Sequence, residues 1–205
     1  YTGTGSAGNV GHGLSTAPTF LINKALGVQD FFVGCSAIGF TKFLKITSTN
    51  GASTNSGLWN DTAPTTDHFT INSGNGNTNA SGVDYITYCF AEKQGFSKFG
   101  SYTGNGNADG AFIYTGFKPA MVLFKQSSAS GEKWYIYDNK RNAFNITNSV
   151  LFPNASDAES SATTGAPIDM LSNGFKLKGT DAAGNGSGST YIYMAFAEEP
   201  LVSSN

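Results

Sequence analysis

Charge is scarce in this chain. Its 205 residues carry 12 basic and 14 acidic side chains, 13% of the total, against roughly 25% in an average soluble domain. Arg141 is the only arginine and the formal net charge is −2, so there is no basic surface to neutralise a phosphate backbone, and nucleic acid is not an expected partner. The two histidines, His12 and His68, have no ligand-spaced companion, which leaves a zinc site with three protein ligands unsupported. The two cysteines, Cys35 and Cys89, are too few to define a disulfide framework and read as unpaired. No window approaches the roughly 18 consecutive apolar residues of a membrane span, and the uncharged opening from Tyr1 to Asn23 is rich in Gly, Ser and Thr, unlike a signal peptide. Membrane insertion is therefore not expected, and a chain that opens on Tyr1 reads as a processed or excised piece.

Apolar and aromatic residues are plentiful. Hydrophobic residues make up 39%, with 16 Phe and 9 Tyr, enough to build a core and to argue against disorder. The most informative feature is internal duplication. Tyr1-Thr2-Gly3-Thr4-Gly5 recurs 101 residues later as Tyr102-Thr103-Gly104-Asn105-Gly106. At the same offset, the apolar run between Pro18 and Lys24 matches the run between Pro119 and Lys125. Towards the ends, Asn79-Ala80-Ser81-Gly82 and the following Tyr85 to Glu92 match Asn185-Gly186-Ser187-Gly188 and Tyr191 to Glu198, now at an offset of 106. Self-similarity on this scale sets architecture before any local motif does. It divides the chain into homologous halves, 1–98 and 99–205, joined near Ser97 without a Pro-rich or charged linker.

Each half reads as β structure, because short runs of Phe, Tyr, Ile and Val lie between clusters of Gly, Asn, Ser and Thr. Strands are expected at 20–24, 31–35, 43–47, 68–72 and 84–91 in the first half, and at 111–114, 121–125, 133–138, 174–178 and 190–197 in the second. Helical periodicity is absent. In the last strand of each half, side chains alternate so that both faces can be covered, as in a central strand. Cys89 stands where the other half has Ala195, which suits a small buried filler. The expected fold is all-β: two tandem homologous antiparallel β-sandwich lobes of jelly-roll or lectin-like type.

Most motifs yield to bland readings. Gly3 to Gly8 fits the dinucleotide pattern G-x-G-x-x-G, but no strand precedes it, no helix follows, and the second copy has Asp109 in place of the third glycine. No serine lies in G-x-S-x-G, and 14 acids neither show nor exclude a glycosidase pair. Asn75, Asn77 and Asn79 alternate as calcium ligands do, but lack the Asp at the start and the Glu at the end, so no cofactor is expected and weak Ca2+ binding stays open. Trp59, in Gly57-Leu58-Trp59-Asn60-Asp61, sits in a polar loop. There an exposed indole beside amide and carboxylate would stack on a sugar ring, while an indole turned inward would anchor a core; Trp59, Asn60 and Asp61 are taken as the candidate ligand-binding set. The sole arginine follows Asp138 by three residues and precedes Glu159, and an arginine fork between two carboxylates reads as a structural loop lock of Asp138, Arg141 and Glu159 rather than a ligand site.

A spaced series in the second half, Gly116-Phe117-Lys118-Pro119, Lys125, Trp134, Asp138, Arg141, Leu151, Asn154, Glu159, Gly174-Phe175, Asn185, Gly188, Tyr191 and Phe196, resembles a β-rich module associated with tail fibres in proteins predicted from marine bacteriophages. There it often follows SPRY-type or laminin-G-like lectin segments. Asn142 follows Arg141 where that module usually has glycine, and the first half has Gly34-Cys35-Ser36-Ala37 where the Asp/Arg element falls. The resemblance implies a component of the virion surface, and it supplies no catalytic residue. With a low-charge surface rich in Asn, Ser, Thr and Gly, the expectation is a non-enzymatic, homo-oligomeric host-attachment domain that contacts other virion subunits and binds bacterial surface glycans. A purely structural virion part is the alternative, and a polysaccharide depolymerase a third.

Overall fold

A computed structural model describes residues 1–27, 30–161 and 166–200; the last five residues of the second repeat, 201–205, lie outside them. The fold is all-β, built from several antiparallel sheets and one four-residue helix. The chain divides into two compact units, Tyr1–Ser48 with Ala52–Ala91, and Thr49–Gly51 with Glu92–Asn205. The joint read from the repeat, near Ser97, falls at the start of a strand belonging to the second unit.

The first unit contains β1 (Gly8–Gly11), β2 (Phe20–Ala25), β3 (Phe31–Cys35), β4 (Lys42–Lys45), β5 (Ser53–Thr54), α1 (Ser56–Trp59), β6 (His68–Ile71) and β7 (Tyr85–Phe90). Five of its strands form a sheet in the order β5-β4-β3-β2-β7, while β1 pairs with β6. Strand alternation sends Leu21 and Phe32 to one face of the larger sheet, where they meet Phe69 and Ile71 of β6 and Leu58 and Trp59 of α1 in one apolar cluster. The helix exists because Asn55 caps it, its side-chain oxygen accepting from Gly57 N at 2.9 Å, and it ends when Asn60 turns left-handed at φ 51°.

The second unit contains β8 (Ser97–Thr103), β9 (Phe112–Tyr114), β10 (Pro119–Gln126), β11 (Trp134–Asp138), β12 (Ser149–Val150), β13 (Ser160–Ser161), β14 (Ile168–Leu171), β15 (Gly174–Leu177) and β16 (Thr190–Ala197). One sheet runs β11-β10-β16-β8, another β14-β15-β9, and β12 pairs with β13. Val122, Phe124, Tyr137, Tyr191 and Tyr193 of the first sheet share a core with Ile113, Ile168, Phe175 and Leu177 of the second.

Several strand pairings recur in the two units. Leu21 pairs with Gly34 on one side and Cys89 on the other; its counterpart Val122 pairs with Tyr137 and Ala195. Val10 faces Phe69 as Ile113 faces Phe175. The recurrent Tyr-Thr-Gly and Asn-containing segments converge in both. Asn185 is wholly buried; its Oδ1 accepts from Asn105 N at 3.0 Å, and its Nδ2 reaches the carbonyls of Asn107 at 2.8 Å and Gly179 at 2.7 Å. Asn79 does the same with Thr4 N at 2.9 Å, Ser6 O at 2.6 Å and Asn72 O at 2.9 Å. Beside each amide a tyrosine pair stacks, Tyr102 on Tyr191 at 4.9 Å and Tyr1 on Tyr85 at 5.1 Å. Gly3 and Gly104 recur because a Cβ there would run into the main chain of Ala80 and Gly186. The amides of Asn79 and Asn185 are thus committed to loop bonds, and the Gly-rich turn serves those loops.

Two expectations are corrected by the sheet order. The last strand of each half was expected to be central; β16 is, between β10 and β8, but β7 is the sheet edge among the described residues. Cys89 accordingly is only half-buried, not a sealed filler. Both cysteines are free, and burial pushes Cys35 up to about 12 and Cys89 to about 11. The short helix and the strands β1, β5, β8, β12, β13 and β14 were not expected, being too short, too polar or too glycine-rich to stand out.

Removing the Asn185 side chain leaves its main-chain partners without their shared amide. Asn185→Ala is expected to lower unfolding free energy by about 2 to 4 kcal/mol, measured by urea denaturation, whereas Ala substitution of the exposed Asn107 is expected to change it by less than about 1 kcal/mol.

Alkaline pH tests the buried tyrosines and Lys125 together. Lys125 is buried, donating to Gln126 O at 2.7 Å and Thr49 O at 3.2 Å, and desolvation lowers its pKa from 10.5 to about 8. Between about 8 and 10.5 the unfolded chain binds more protons at this site, so its contribution to stability rises with pH. Burial raises Tyr1 and Tyr193 to about 12 and raises Tyr102, Tyr135, Tyr137 and Tyr191 as well. Above their ordinary 10.0 the unfolded chain ionises first, and stability falls. Denaturation at a series of pH values is expected to show the loss above pH 10 in both the native chain and Lys125→Met, and the gain from pH 8 in the native chain alone.

Candidate functional site

The candidate set around Trp59 does not form a surface platform. Trp59 closes α1 with 1% of its surface exposed, packed in the core of the first unit. Its indole lies over Gly34, whose missing Cβ would sit 2.7 Å from Cε2. In the second unit the same position carries Tyr137, so one ring fills the place in each copy. The inward reading of Trp59 therefore holds and stacking on a sugar is ruled out for it. Asn60 and Asp61 are exposed and take positive φ, 51° and 49°, as the chain leaves the helix. They remain at the surface without the aromatic that was to accompany them.

The arginine fork is present. Arg141 Nε meets Asp138 Oδ2 at 2.7 Å, and its Nη1 meets Glu159 Oε2 at 2.8 Å. Asp138 Oδ1 also accepts from the main-chain nitrogens of Lys140 and Arg141, both at 2.9 Å. These contacts fix the start of a loop leaving β11, and two asparagines fix the rest. Asn142 Oδ1 accepts from Asn148 N at 3.1 Å and Ser149 N at 2.7 Å. Asn145 exchanges two bonds with the main chain of Met170, at 2.9 and 3.0 Å. Between those anchors Phe144 is held outward with 85% of its surface exposed.

Next to that ring lies a shallow cavity of about 220 Å3, lined by Lys118, Asn139, Asn142 to Asn145, Thr147 and Met170. Its polar wall is a short chain of charges and amides. Lys118 Nζ meets Glu198 Oε2 at 2.6 Å, and Glu198 Oε1 accepts from Asn139 Nδ2 at 2.6 Å. The hydrogen bond from Lys118 holds the Glu198 carboxyl below the usual carboxylate range. Asn139 Oδ1 is buried with no hydrogen-bond partner among the described residues. An exposed ring beside ammonium, carboxylate and amide groups suits a neutral, hydroxyl-rich molecule with one apolar face. Among the described residues no three His, Cys, Asp or Glu side chains gather as a metal site, and no helix is long and apolar enough to cross a membrane.

Phe144 was missed from the sequence, although Asn142-Ala143-Phe144-Asn145 carries the signal that singled out Trp59, an aromatic in a polar stretch. Only packing separates the two. Trp59 closes a capped helical turn that carries it into the core, whereas Phe144 is flanked by amides whose bonds hold the loop at the surface.

The profile of a family described as a domain of unknown function, DUF7483, matches residues 1–200. No curated protein and no solved structure matches the chain.

The lock around Arg141 separates charge from loop geometry. Arg141→Met removes partly exposed ion pairs and is expected to cost less than about 1 kcal/mol. Asp138→Ala also frees two main-chain donors and is expected to cost about 1 to 2 kcal/mol. Hydrogen exchange is expected to speed up at Lys140 and Arg141 in Asp138→Ala and far less in Arg141→Met.

Proposed function

We propose that this chain, which belongs to the DUF7483 family, is a non-catalytic attachment domain that binds glycans through the loop presenting Phe144. On this reading each unit is a β-sandwich lobe descended from a tandem duplication, and the second unit has turned one loop into a ligand platform. The carrying observation is the placement of Phe144: fully presented to solvent, on a loop fastened by Asn142, Asn145 and the Arg141 fork, beside a polar wall from Lys118 to Asn139. Such a ring covers the apolar face of a sugar while neighbouring groups exchange hydrogen bonds with its hydroxyls. Each such bond contributes only about 0.5 to 1.5 kcal/mol net, so useful attachment requires several copies acting together. That requirement agrees with a homo-oligomer on a virion surface, such as a tail fibre, the setting implied by the sequence resemblance.

A structural role in a particle is the second reading, favoured by Phe112 and Tyr114, which β9 exposes along the edge of the three-stranded sheet. Exposed aromatics on a strand edge suit contact with a neighbouring subunit.

The test is a glycan array and bacterial surface polysaccharide probed with the purified chain, native and Phe144→Ala. Binding that falls about fivefold or more in Phe144→Ala is the expected result. Silence on both the array and whole cells would remove the glycan reading and leave the structural one.

A further inference from the structure

The loop that presents Phe144 is longer than its counterpart in the first unit. Ile22 and Leu123, which stand at the repeat offset, pair with Val33 and Ile136. Val33 pairs in turn with Leu44, 11 positions on, and Ile136 with Leu151, 15 positions on. The four extra positions fall after β11, where the first unit has only the turn from Ser36 to Thr41 between β3 and β4. The longer loop brings with it both the exposed ring and the lining of the cavity beside it.

Phe144 stands at the lip of that cavity, since 85% of its surface is exposed. A sugar ring stacked on it lies over the mouth, and what enters is a substituent of the ring. The interior, of about 220 Å3, has an apolar and a polar side. Ala143 and Met170, the latter 5% exposed, supply the apolar side. Thr147, 2% exposed, lines the same space and bonds to other residues only through its main chain, to Ile168, so its hydroxyl has no partner among the described residues. Lys118 Nζ is engaged by Glu198 alone, which leaves ammonium protons to donate. Asn139, whose Nδ2 donates to Glu198, keeps a buried, unpartnered Oδ1 in the same wall. A polar atom enclosed without a partner is costly, and a ligand group that supplies the partner recovers that cost. A bare hydroxyl answers the polar side and leaves Met170 facing water. An acetamido group answers both, because it carries an N–H, a carbonyl and a methyl side by side.

We infer that the cavity is a subsite for the acetamido group of an N-acetylated amino sugar whose ring stacks on Phe144. Its methyl lies against Met170 and Ala143, its N–H donates to the Thr147 hydroxyl, and its carbonyl accepts from the Lys118 ammonium. Selection works against the alternatives as well. Loss of the acetyl group turns the substituent into an ammonium, which meets the Lys118 ammonium and offers nothing to Met170. The inference rests on the glycan reading of the Phe144 loop and narrows it to one ligand class.

The probes are the methyl glycosides of N-acetylglucosamine, N-acetylgalactosamine and N-acetylmannosamine, each beside its hydroxyl parent and its free amine. They are titrated into the native chain and followed by methionine-methyl NMR, because Met170 lines the cavity and Met121 and Met194 do not. At least one acetylated sugar is expected to bind about tenfold or more tighter than its parent and its amine, in step with a saturable shift of the Met170 methyl. Thr147→Val, which keeps the shape and removes the hydroxyl, is expected to bring that sugar close to the affinity of its parent. Phe144→Ala is expected to weaken acetylated and parent sugars alike. Sugar binding that depends on Phe144 but is equal for acetylated and parent sugars, or that leaves the Met170 methyl unmoved, would overturn the inference while the glycan reading stands. An acetyl preference that persists in folded Thr147→Val would do the same. Absence of saturable binding by any sugar would overturn both, and the native chain with Phe144→Ala suffices to tell these outcomes apart.

Discussion

Two buried amides organise this protein. Asn79 and Asn185 each tie the turn after an opening tyrosine segment to the loop before a closing strand, and each is itself wholly buried, so its amide depends on the main-chain groups it meets there. An orphaned main-chain group costs more than a well-made bond gains, so these loops have little freedom to settle elsewhere. The stacked tyrosines alongside, and the glycines that let the chains approach, follow from that convergence. Once the first and last strands of a unit are tied, the intervening ones have a fixed register against which to pair.

On that shared frame the units have diverged by exchanging bulk. Gly34 admits Trp59 where Tyr137 fills the same place itself. Thr87 borders a cavity, whereas its counterpart Tyr193 lies in the core of the second unit. Cores tolerate such swaps when volume is kept and respond with cavities when it is not. The first unit therefore combines an indole-anchored core with a cavity beside Thr87, while the second has a filled core and a loop that carries its free aromatic at the surface.

The aromatic residues illustrate how a polar neighbourhood in sequence can mislead. Trp59 and Phe144 both sit among Gly, Asn and Ala or Asp, yet one is sealed and the other presented. What decides is the hydrogen bonding of the flanking backbone. Asn55 caps a helical turn that rolls Trp59 inward, whereas Asn142 and Asn145 fasten their loop to Asn148, Ser149 and Met170 and leave Phe144 no core to enter.

The all-β class, the recurring Tyr-Thr-Gly…Asn…Tyr segments and most strands with apolar alternation were legible in the sequence, because period-two patterning and repeated segments are local or self-referential signals. So was the pairing of Arg141 with Asp138 and Glu159, which needs only charge and proximity along the chain. The short strands, the edge position of β7, the inward turn of Trp59 and the exposure of Phe144 were settled by tertiary structure alone. Each depends on which groups meet across a long sequence separation, and burial is a property of those meetings, not of the residue that undergoes it.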